Sequence, residues 1–517
     1  MNRRARRAAG ASQAEVRRDA ARQWFATALD RHQAGRLAEA ANFYARSLRQ
    51  APEAETYYNL GLALMQMAKV GEAADAWRAA CRARPGYGLA ATNLAVALAE
   101  LDQPAEAQTL LRQVAVLQPD WAEPYNNLAI LQGDAMILQP AIVNGRRALQ
   151  IDPDYADAHN SLGILLHQQG NLSAAADSYR SALRLNPDFA KAHFNLGLTL
   201  LRMGILAEGW RHYAWRWRGG ARHLQPRPFG KPLWQGETLP GQRLLLHAEQ
   251  GFGDTLQFVR FIAQAAARGA HILLEAPRPL LRLLESVDGV AELLPTGSAL
   301  PAFDCHLPLM SLAGVLGIAE DGLSAAVPYL HPDPGTVALW QSRLAAGSGP
   351  RVGLVWSGDP RRHDPRARTI DARRSLPLEA LSPLLAVPGI SFVSLQLGEA
   401  AGQLAALPDP SRITDATSLI GDFADSAALL ATLDLVITVD TAMAHLAGAI
   451  GCPVWILSRF DGCWRWLEGR DDSPWYPSAR LFRQTSSGDW TGVVARVAAA
   501  LGEWALRNQG DRGKPDP

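Results

Sequence analysis

The stretch NLGLALMQMAKVGEAADAWRAACRARP, residues 59–85, holds two runs of apolar residues at helical spacing, the second closed by Pro85. Outward from it, prolines return at Pro52, Pro85, Pro119, Pro153 and Pro187, separated by 33, 34, 34 and 34 residues. Ala40, Ala73, Ala107, Ala141 and Ala175 keep the same step, and so do Leu60, Leu94, Leu128, Leu162 and Leu196, each leucine followed by Gly or Ala. A fixed period of this length marks stacked helical repeats. The recurrent alanine is small enough to let two helices approach closely. Gly35, Gly71 and Gly170 are expected where the first helix of a unit turns into the second, and the prolines where the second ends.

This pattern resembles the tetratricopeptide repeat, a helix–turn–helix unit that buries its core by stacking on its neighbours. Five full repeats are expected over about 21–188, with an atypical sixth at 189–218. The second helix of that sixth unit reads EGWRHYAWRW, an aromatic end suited to capping the stack and docking it on the C-terminal part of the chain. Asn59, Asn93, Asn127 and Asn195 recur at one phase of the first helix, with Ser161 on the missing rung. Asparagine is a mediocre helix former, so its return needs a reason. One reading is a ladder of amides that bind the backbone of an extended polypeptide; the other is a set of hydrogen bonds between helices. The ladder resembles that of the O-GlcNAc transferase superhelix, and this likeness implies a protein or peptide partner in the groove.

Charge and composition bound the possibilities. Fifty-one Lys and Arg face fifty Asp and Glu, a net charge of +1, which gives no global case for nucleic acid or an anionic membrane. Hydrophobic residues make up 48% of the chain, enough for large cores. No apolar run approaches the roughly 18 residues of a spanning helix. Cys81, Cys305, Cys452 and Cys463 form no C-x-x-C pair, which suits a reducing compartment rather than a disulfide framework or zinc site. The basic segment 1–20 lacks the apolar core of a secretory signal, and the expected location is the cytoplasm.

Residues 219–240 are rich in Gly, Pro, Arg and Gln and read as a linker, with Trp234 requiring somewhere to pack. Beyond it, RLLLHAE, HILLEAP, AELLP and DCHLPL read as strands of one lobe, 241–335, with helices such as TLQFVRFIAQAAARG between them. RVGLVWSG, ISFVSLQL, DLVITVD and CPVWILS belong to a second lobe, 350–505, followed by a disordered tail, 506–517. Apolar strands alternating with helices predict parallel sheets covered on both faces, hence an α + α/β chain with a cleft between two lobes. Ligands of such sheets bind outside the carboxyl ends of the strands.

Three segments leave those ends. In HAEQGFGDTLQF, residues 247–258, Gly251 and Gly253 permit a tight turn and Asp254 stands near a helix start, either as a cap or as a general base. In the second, Ser357 and Gly358 precede Arg361, Arg362, Arg366, Arg368, Arg373 and Arg374, a set that reads as a diphosphate-binding loop or as a solvated charged loop. In the third, Asp440 and Thr441 end a strand and Ala442, Ala444 and His445 open a helix, whose free amides favour an anion. His445 either faces that anion or is structural.

The segments EQGFGDTLQFVRF, GLVWSGDP, VDTAMAHLAGAIG and WRWLEGRDDSPWYPSARLFRQ resemble heptosyltransferase-like enzymes of glycosyltransferase family nine. The likeness covers about 200–490, and more narrowly the chain looks like bacterial proteins that fuse tetratricopeptide repeats to such a domain. It implies a GT-B pair of Rossmann-like lobes and inverting transfer of a sugar from a nucleotide-diphosphate donor. Asp254 falls on the family's proposed base, and Asp440, Thr441, Ala442 and His445 on its donor motif. Arg374 stands where the family has a lysine that contacts phosphate, and the first lobe is short. No D-x-D motif follows a strand, so a catalytic metal is not required; the nucleotide-diphosphate sugar is expected as donor substrate, with no separate cofactor. Trp464 or Trp466 is expected to wall the donor site or to pack. The competing expectation is a non-catalytic repeat scaffold with a vestigial α/β domain.

Overall fold

The computed structural model describes residues 3–219, 226–323, 327–344, 349–360 and 365–511. It divides into two compact units, Met1–Phe189 and Ala190–Pro517.

In the first unit α1 (Arg3–Gln33) pairs with α2 (Leu37–Gln50), α3 (Ala54–Gln66) with α4 (Val70–Ala83), and α5 (Gly88–Glu100) with α6 (Pro104–Leu117). α7 (Ala122–Asp134) pairs with α8 (Leu138–Ile151), and α9 (Ala156–Gln169) with α10 (Leu172–Leu185). The basic start belongs to α1 from Arg3 onward. Ala40, Ala73, Ala107, Ala141 and Ala175 are all fully buried where the paired helices meet. Each periodic proline lies just past the end of a second helix.

One turn differs from expectation. Gly35 and Gly170 take left-handed φ values of +72° and +89°, but Gly71 lies inside α4 and Ala68 makes the turn at +58°. Asp102 and Met136 do the same in the next repeats, at +61° and +59°. The turn therefore keeps the register of the repeat whatever residue occupies it. A left-handed L residue costs about 1–2 kcal/mol, a strain that the stacked alanine contacts on either side outweigh.

The second unit begins with the sixth helix pair, α11 (Ala190–Arg202) and α12 (Leu206–Tyr213), followed by the short α13 (Arg216–Gly219). Trp210 and Tyr213 of α12 enter the core of the α/β part, edge-on and tilted against Trp464 at 5.4 and 6.1 Å. Arg202, only 2% exposed, pairs with Glu468. These contacts explain why the aromatic sixth unit is part of the second body.

The first lobe is a parallel sheet of order β3-β2-β1-β4, with β1 Arg243–His247, β2 His271–Ala276, β3 Val290–Pro295 and β4 Cys305–Pro308. Between strands lie α14 (Phe252–Phe258), α15 (Ile262–Ala266), α16 (Leu281–Leu284) and α17 (Leu312–Val315). The single helix expected over TLQFVRFIAQAAARG is broken by a 3-10 turn at Val259–Phe261. Among the described residues, helices cover one face of this sheet: Leu244, Leu246, Ile272 and Leu274 share a core with Phe258, Phe261 and Ile262. The other face, with Leu245, Leu273 and Leu294, is covered instead by Phe229, Leu300 and Phe303 from irregular chain. With so few residues the lobe lacks a second helical layer, and the segment 226–240, expected as a linker, fills the gap. Its Leu233 bridges to His306 of β4, and Trp234 is fully buried.

The second lobe has the order β10-β9-β8-β5-β6-β7, all parallel, from β5 (Arg351–Val355), β6 (Ser391–Ser394), β7 (Ile413–Asp415), β8 (Leu435–Val439), β9 (Val454–Ser458) and β10 (Ala479–Arg483). Its helices are α18 (Pro334–Arg343), α19 (Pro365–Arg374), α20 (Ser382–Leu385), α21 (Phe423–Leu430), α22 (Ala442–Ala449) and α23 (Trp490–Asp511). α23 carries the chain in helical form through residues 506–511, which were expected in a disordered tail; 512–517 lie outside the described residues. Read from the middle outward, this order is the doubly wound arrangement whose chain direction reverses between β5 and β8, and ligands of such sheets sit at that reversal. The first lobe has the same order cut to four strands, with its reversal between β1 and β4.

Candidate functional site

Loops from both reversals meet. β1 ends at His247, and the chain turns through Gly251 into α14, while β8 ends at Val439 and Thr441 opens α22. The two helix starts pack directly on each other: a methyl group added to Gly253 would lie 2.8 Å from His445 Cδ2 and 3.4 Å from Ala442 Cα. This is the close approach that the glycine permits.

Asp254 is the third residue of α14. Its Oδ2 accepts from the Gly251 amide at 2.9 Å, closing the helix start, and its Oδ1 accepts from the Arg465 guanidinium. Both side chains are largely buried, at 18% and 11% exposure. Arg465 also donates to Gln257 Oε1 at 2.9 Å and lies over the Trp464 ring. The cap expected as one alternative for Asp254 is thus present, together with an ion pair that the sequence did not suggest.

Behind this loop lies a second carboxylate. Glu249, 2% exposed, accepts from Arg216 of α13 at 2.7 Å, and Arg216 also donates to Ser311 at 2.8 Å. Burial pushes Glu249 up to about 7 against the pull of Arg216. The last helix of the repeat series is in this way fixed to the glycine-rich loop by a buried pair.

On the second lobe, the β5 exit is held by Gln396, whose Oε1 accepts from the Trp356 and Ser357 amides at 3.0 and 2.8 Å. Gly358 donates its amide to Ser375 at 3.0 Å. A side chain at Gly358 would collide with Asp371 and Arg374, so these two sit flush against its backbone. Arg374 donates to Asp371 at 2.8 Å and to the Asp440 carbonyl at 3.1 Å, tying the β5 loop to the β8 loop. Ser357, Gly358, Arg374, Asp440 and Thr441 are therefore gathered at the reversal point. Arg361 and Arg362 lie outside the described residues, as does the side chain of Arg366, whereas Arg373 is engaged with Asp461 at 2.7 Å.

His445 is 4% exposed, stacked on Trp466 at 5.2 Å, and its Nδ1 meets the Tyr476 hydroxyl at 2.9 Å. Burial, with the Arg465 charge adding to it, pushes this histidine down to about 3, so the ring is neutral near pH 7. Trp464 and Trp466 are buried, at 7% and 0% exposure, and pack rather than wall an open site. No group of three or more His, Cys, Asp or Glu suited to a metal occurs among the described residues.

In the first unit, Asn59, Asn93 and Asn127 are half-buried on α3, α5 and α7, Ser161 is buried on α9, and Asn195 lies on α11 in the second unit. Asn59 donates back to the Glu55 carbonyl at 2.8 Å, and Asn93 hydrogen-bonds Tyr58 of the preceding repeat. Asn93 thus makes an inter-helix hydrogen bond.

Profiles of the tetratricopeptide kind match this chain, one described as a TPR repeat over 139–170 and 165–204 and one as a tetratricopeptide repeat over 58–122. The helical region is a series of such repeats. The chain is similar to Protein FlbA of Caulobacter vibrioides, 29% identical over 324 residues, covering 58% of this chain and 53% of FlbA. It thus spans about half the length of that relative. Among solved structures it is similar to MamA of Desulfovibrio magneticus, at 20% identity and a TM-score of 0.31 over 33% of this chain and 96% of that one. A thermophilic TPR protein of Thermus thermophilus is 18% identical with a TM-score of 0.31, over 35% of this chain and all of that one, 100%. No helix is long and apolar enough to cross a membrane among the described residues.

Proposed function

We propose that the chain is an inverting, cytoplasmic glycosyltransferase whose two lobes form a GT-B-type pair, using a nucleotide-diphosphate sugar and a protein acceptor recruited by the repeats. The observation that carries this reading is the convergence of both reversal points on one place, with Gly253 against His445 and Ala442. The amino end of α22 and the Arg374 guanidinium supply fixed positive charge where a leaving diphosphate develops its own negative charge. The acceptor oxygen forms a bond to the anomeric carbon as the bond to the diphosphate breaks, and the acceptor proton passes to Asp254. For that, Arg465 must leave Asp254 Oδ1. His445, neutral and locked by Trp466 and Tyr476, positions the start of α22 rather than moving a proton.

A thermal-shift screen against ADP-, GDP-, UDP- and dTDP-sugars tests the reading. A ligand at a hundredfold over its Kd stabilises by about 2.7 kcal/mol. Arg374→Ala should abolish the shift, while Asp254→Asn should keep it and lose transfer. The second reading, a non-catalytic scaffold, is favoured by the double engagement of Asp254 with Gly251 and Arg465. It gains if no sugar nucleotide stabilises the protein.

A further inference from the structure

The first helix of the third repeat exposes a single narrow stripe. On α5, residues Leu89, Asn93, Val96, Ala99 and Glu100 are at least partly exposed and every other position is buried. These residues recur at intervals of about one or two turns and so lie on one face. The corresponding positions of α3, α7 and α9 are also at least partly exposed, except the buried Gly133 and Ser161, and α5 rests on α7 and α7 on α9, so these positions form adjoining rows.

The rows carry a consistent chemistry. Across the middle run the amides Asn59, Asn93 and Asn127 with Ser161. Beside them runs an apolar line, Leu62, Val96, Ile130 and Ile164, with Val96 40% and Ile130 42% exposed. At one end of the helices stand Glu55, Glu123 and Asp157, with Leu89 in the third repeat, and at the other Glu100 and Asp134, with Gln66 and Gln168 in the remaining two. No lysine or arginine occupies any of these phases on the four helices. Asn59 and Asn93 already bond within the protein, so the amides are not the main source of selectivity; charge and the apolar line are.

We propose that this striped face docks an extended polypeptide that is basic and carries apolar side chains, a reading that specifies the acceptor class of the function proposed above. Packed helices stand about 8–10 Å apart and an extended chain advances about 3.3 Å per residue. One rung therefore meets every third residue of the guest. The four rungs fit a segment of about nine to twelve residues with basic groups near that spacing.

The test uses the full chain and three fluorescein-labelled dodecapeptides, repeats of Lys-Val-Ser, Glu-Val-Ser and Ser-Val-Ser, read by fluorescence anisotropy. The lysine peptide should bind at least tenfold tighter than both others. Glu55→Lys, Glu100→Lys and Asp157→Lys combined, all at exposed positions, should reverse the preference between lysine and glutamate peptides. Val96→Ser with Ile130→Ser should weaken the lysine peptide by at least fivefold, with unchanged helical circular dichroism. Equal binding of the lysine and glutamate peptides, or no response to the charge reversal, overturns the proposal. Sugar-nucleotide binding measured on the same preparation separates the two readings. Peptide selectivity without sugar binding leaves the docking face standing and removes the transferase, and the opposite result does the reverse.

Discussion

The repeats of the first unit and the α/β body of the second use the same kinds of residue in opposite ways. In the repeats, a small residue is buried at the same phase of every unit and each turn is made locally, so stability is spread over near-identical interfaces. In the α/β body the decisive contacts join residues far apart in sequence: Arg216 with Glu249 and Ser311, Arg465 with Asp254 and Gln257, Arg374 with the Asp440 carbonyl. The difference teaches where energy is concentrated. A change in a repeat removes one of many equivalent contacts, whereas a change in the body strands a buried partner.

The largest effect expected is therefore at Glu249. Glu249→Ala leaves the Arg216 guanidinium buried at 1% exposure without its carboxylate, and arginine does not escape by losing its proton. Breaking such a pair from one side costs about 3–5 kcal/mol, measurable by urea denaturation of the α/β body at pH 8. Replacing both members by apolar residues, Arg216→Met with Glu249→Leu, should recover most of the loss. A loss below about 1 kcal/mol for the single change, the size of an ordinary surface effect, would erase the contrast between the two regions.

Acid should act next, and with opposite signs at two buried groups. His445 falls from 6.5 to about 3 in the fold, so the unfolded chain takes up a proton below pH 6.5 that the native ring refuses. Stability is fully present above pH 6.5 and declines as pH falls toward 3, by up to about 1.4 kcal/mol per pH unit. Glu249 rises from 4.5 to about 7, so its protonated form favours the fold; this contribution is full below pH 4.5 and is lost as pH rises through 7. Denaturation across pH 4.5–8 should show a shallower acid limb in His445→Gln and a flatter alkaline limb in Glu249→Gln. Unchanged slopes would mean that neither group is as buried as the geometry requires.

Gly253→Ala comes third. The new methyl would sit 2.8 Å from His445 Cδ2, a ring held between Trp466 and Tyr476 that has little room to yield. Overpacking of this kind costs about 1–3 kcal/mol. It should also part the two loop ends, so any sugar-nucleotide affinity should fall with it. Loss of stability with affinity intact would separate the interlobe contact from the candidate site.

These residues also mark how far the sequence was legible. The helix pairs followed from a fixed step in Pro, Ala and Leu, because each contact that matters in a repeat lies within one or two periods. The parallel strands β1 to β6, β8 and β9 were legible from apolar runs. β7 was not, being three residues long, and β10 was not recognised as a strand within SARLFRQ. The loop glycines and the 440–445 helix start were found because a strand end followed by small residues has a local signature. Arg465, Glu249, Arg216 and Gln396 were missed. Arg465 stood between two tryptophans that drew attention as candidate walls, and Glu249 stood just before a run of Gly and Asp. Nothing local distinguishes a buried ion pair from a solvated charge when its partner is 33 or 211 residues away. The loop-covered face of the first sheet was equally hidden, since strand sequences alone do not say whether a helix or a loop lies over them.

The smallest effect tests the other side of the contrast. Gly71 was expected in a turn, but it lies in the first turn of α4 with nothing within 4 Å of an added methyl. Gly71→Ala should therefore stabilise the repeats by about 0.5–1 kcal/mol, through the helix preference of alanine and a less flexible unfolded chain. Gly35→Ala, at φ +72°, should instead destabilise by about 1–2 kcal/mol despite equally open surroundings. The pair isolates backbone conformation from packing, because neither position touches anything else. If both substitutions lowered the first unit's thermal midpoint, the placement of Gly71 inside α4, and with it the turn at Ala68, would be wrong; if both raised it, the left-handed conformation of Gly35 would be. Opposite signs would show that the repeats hold their register by stacking, with the turn residue following rather than directing it.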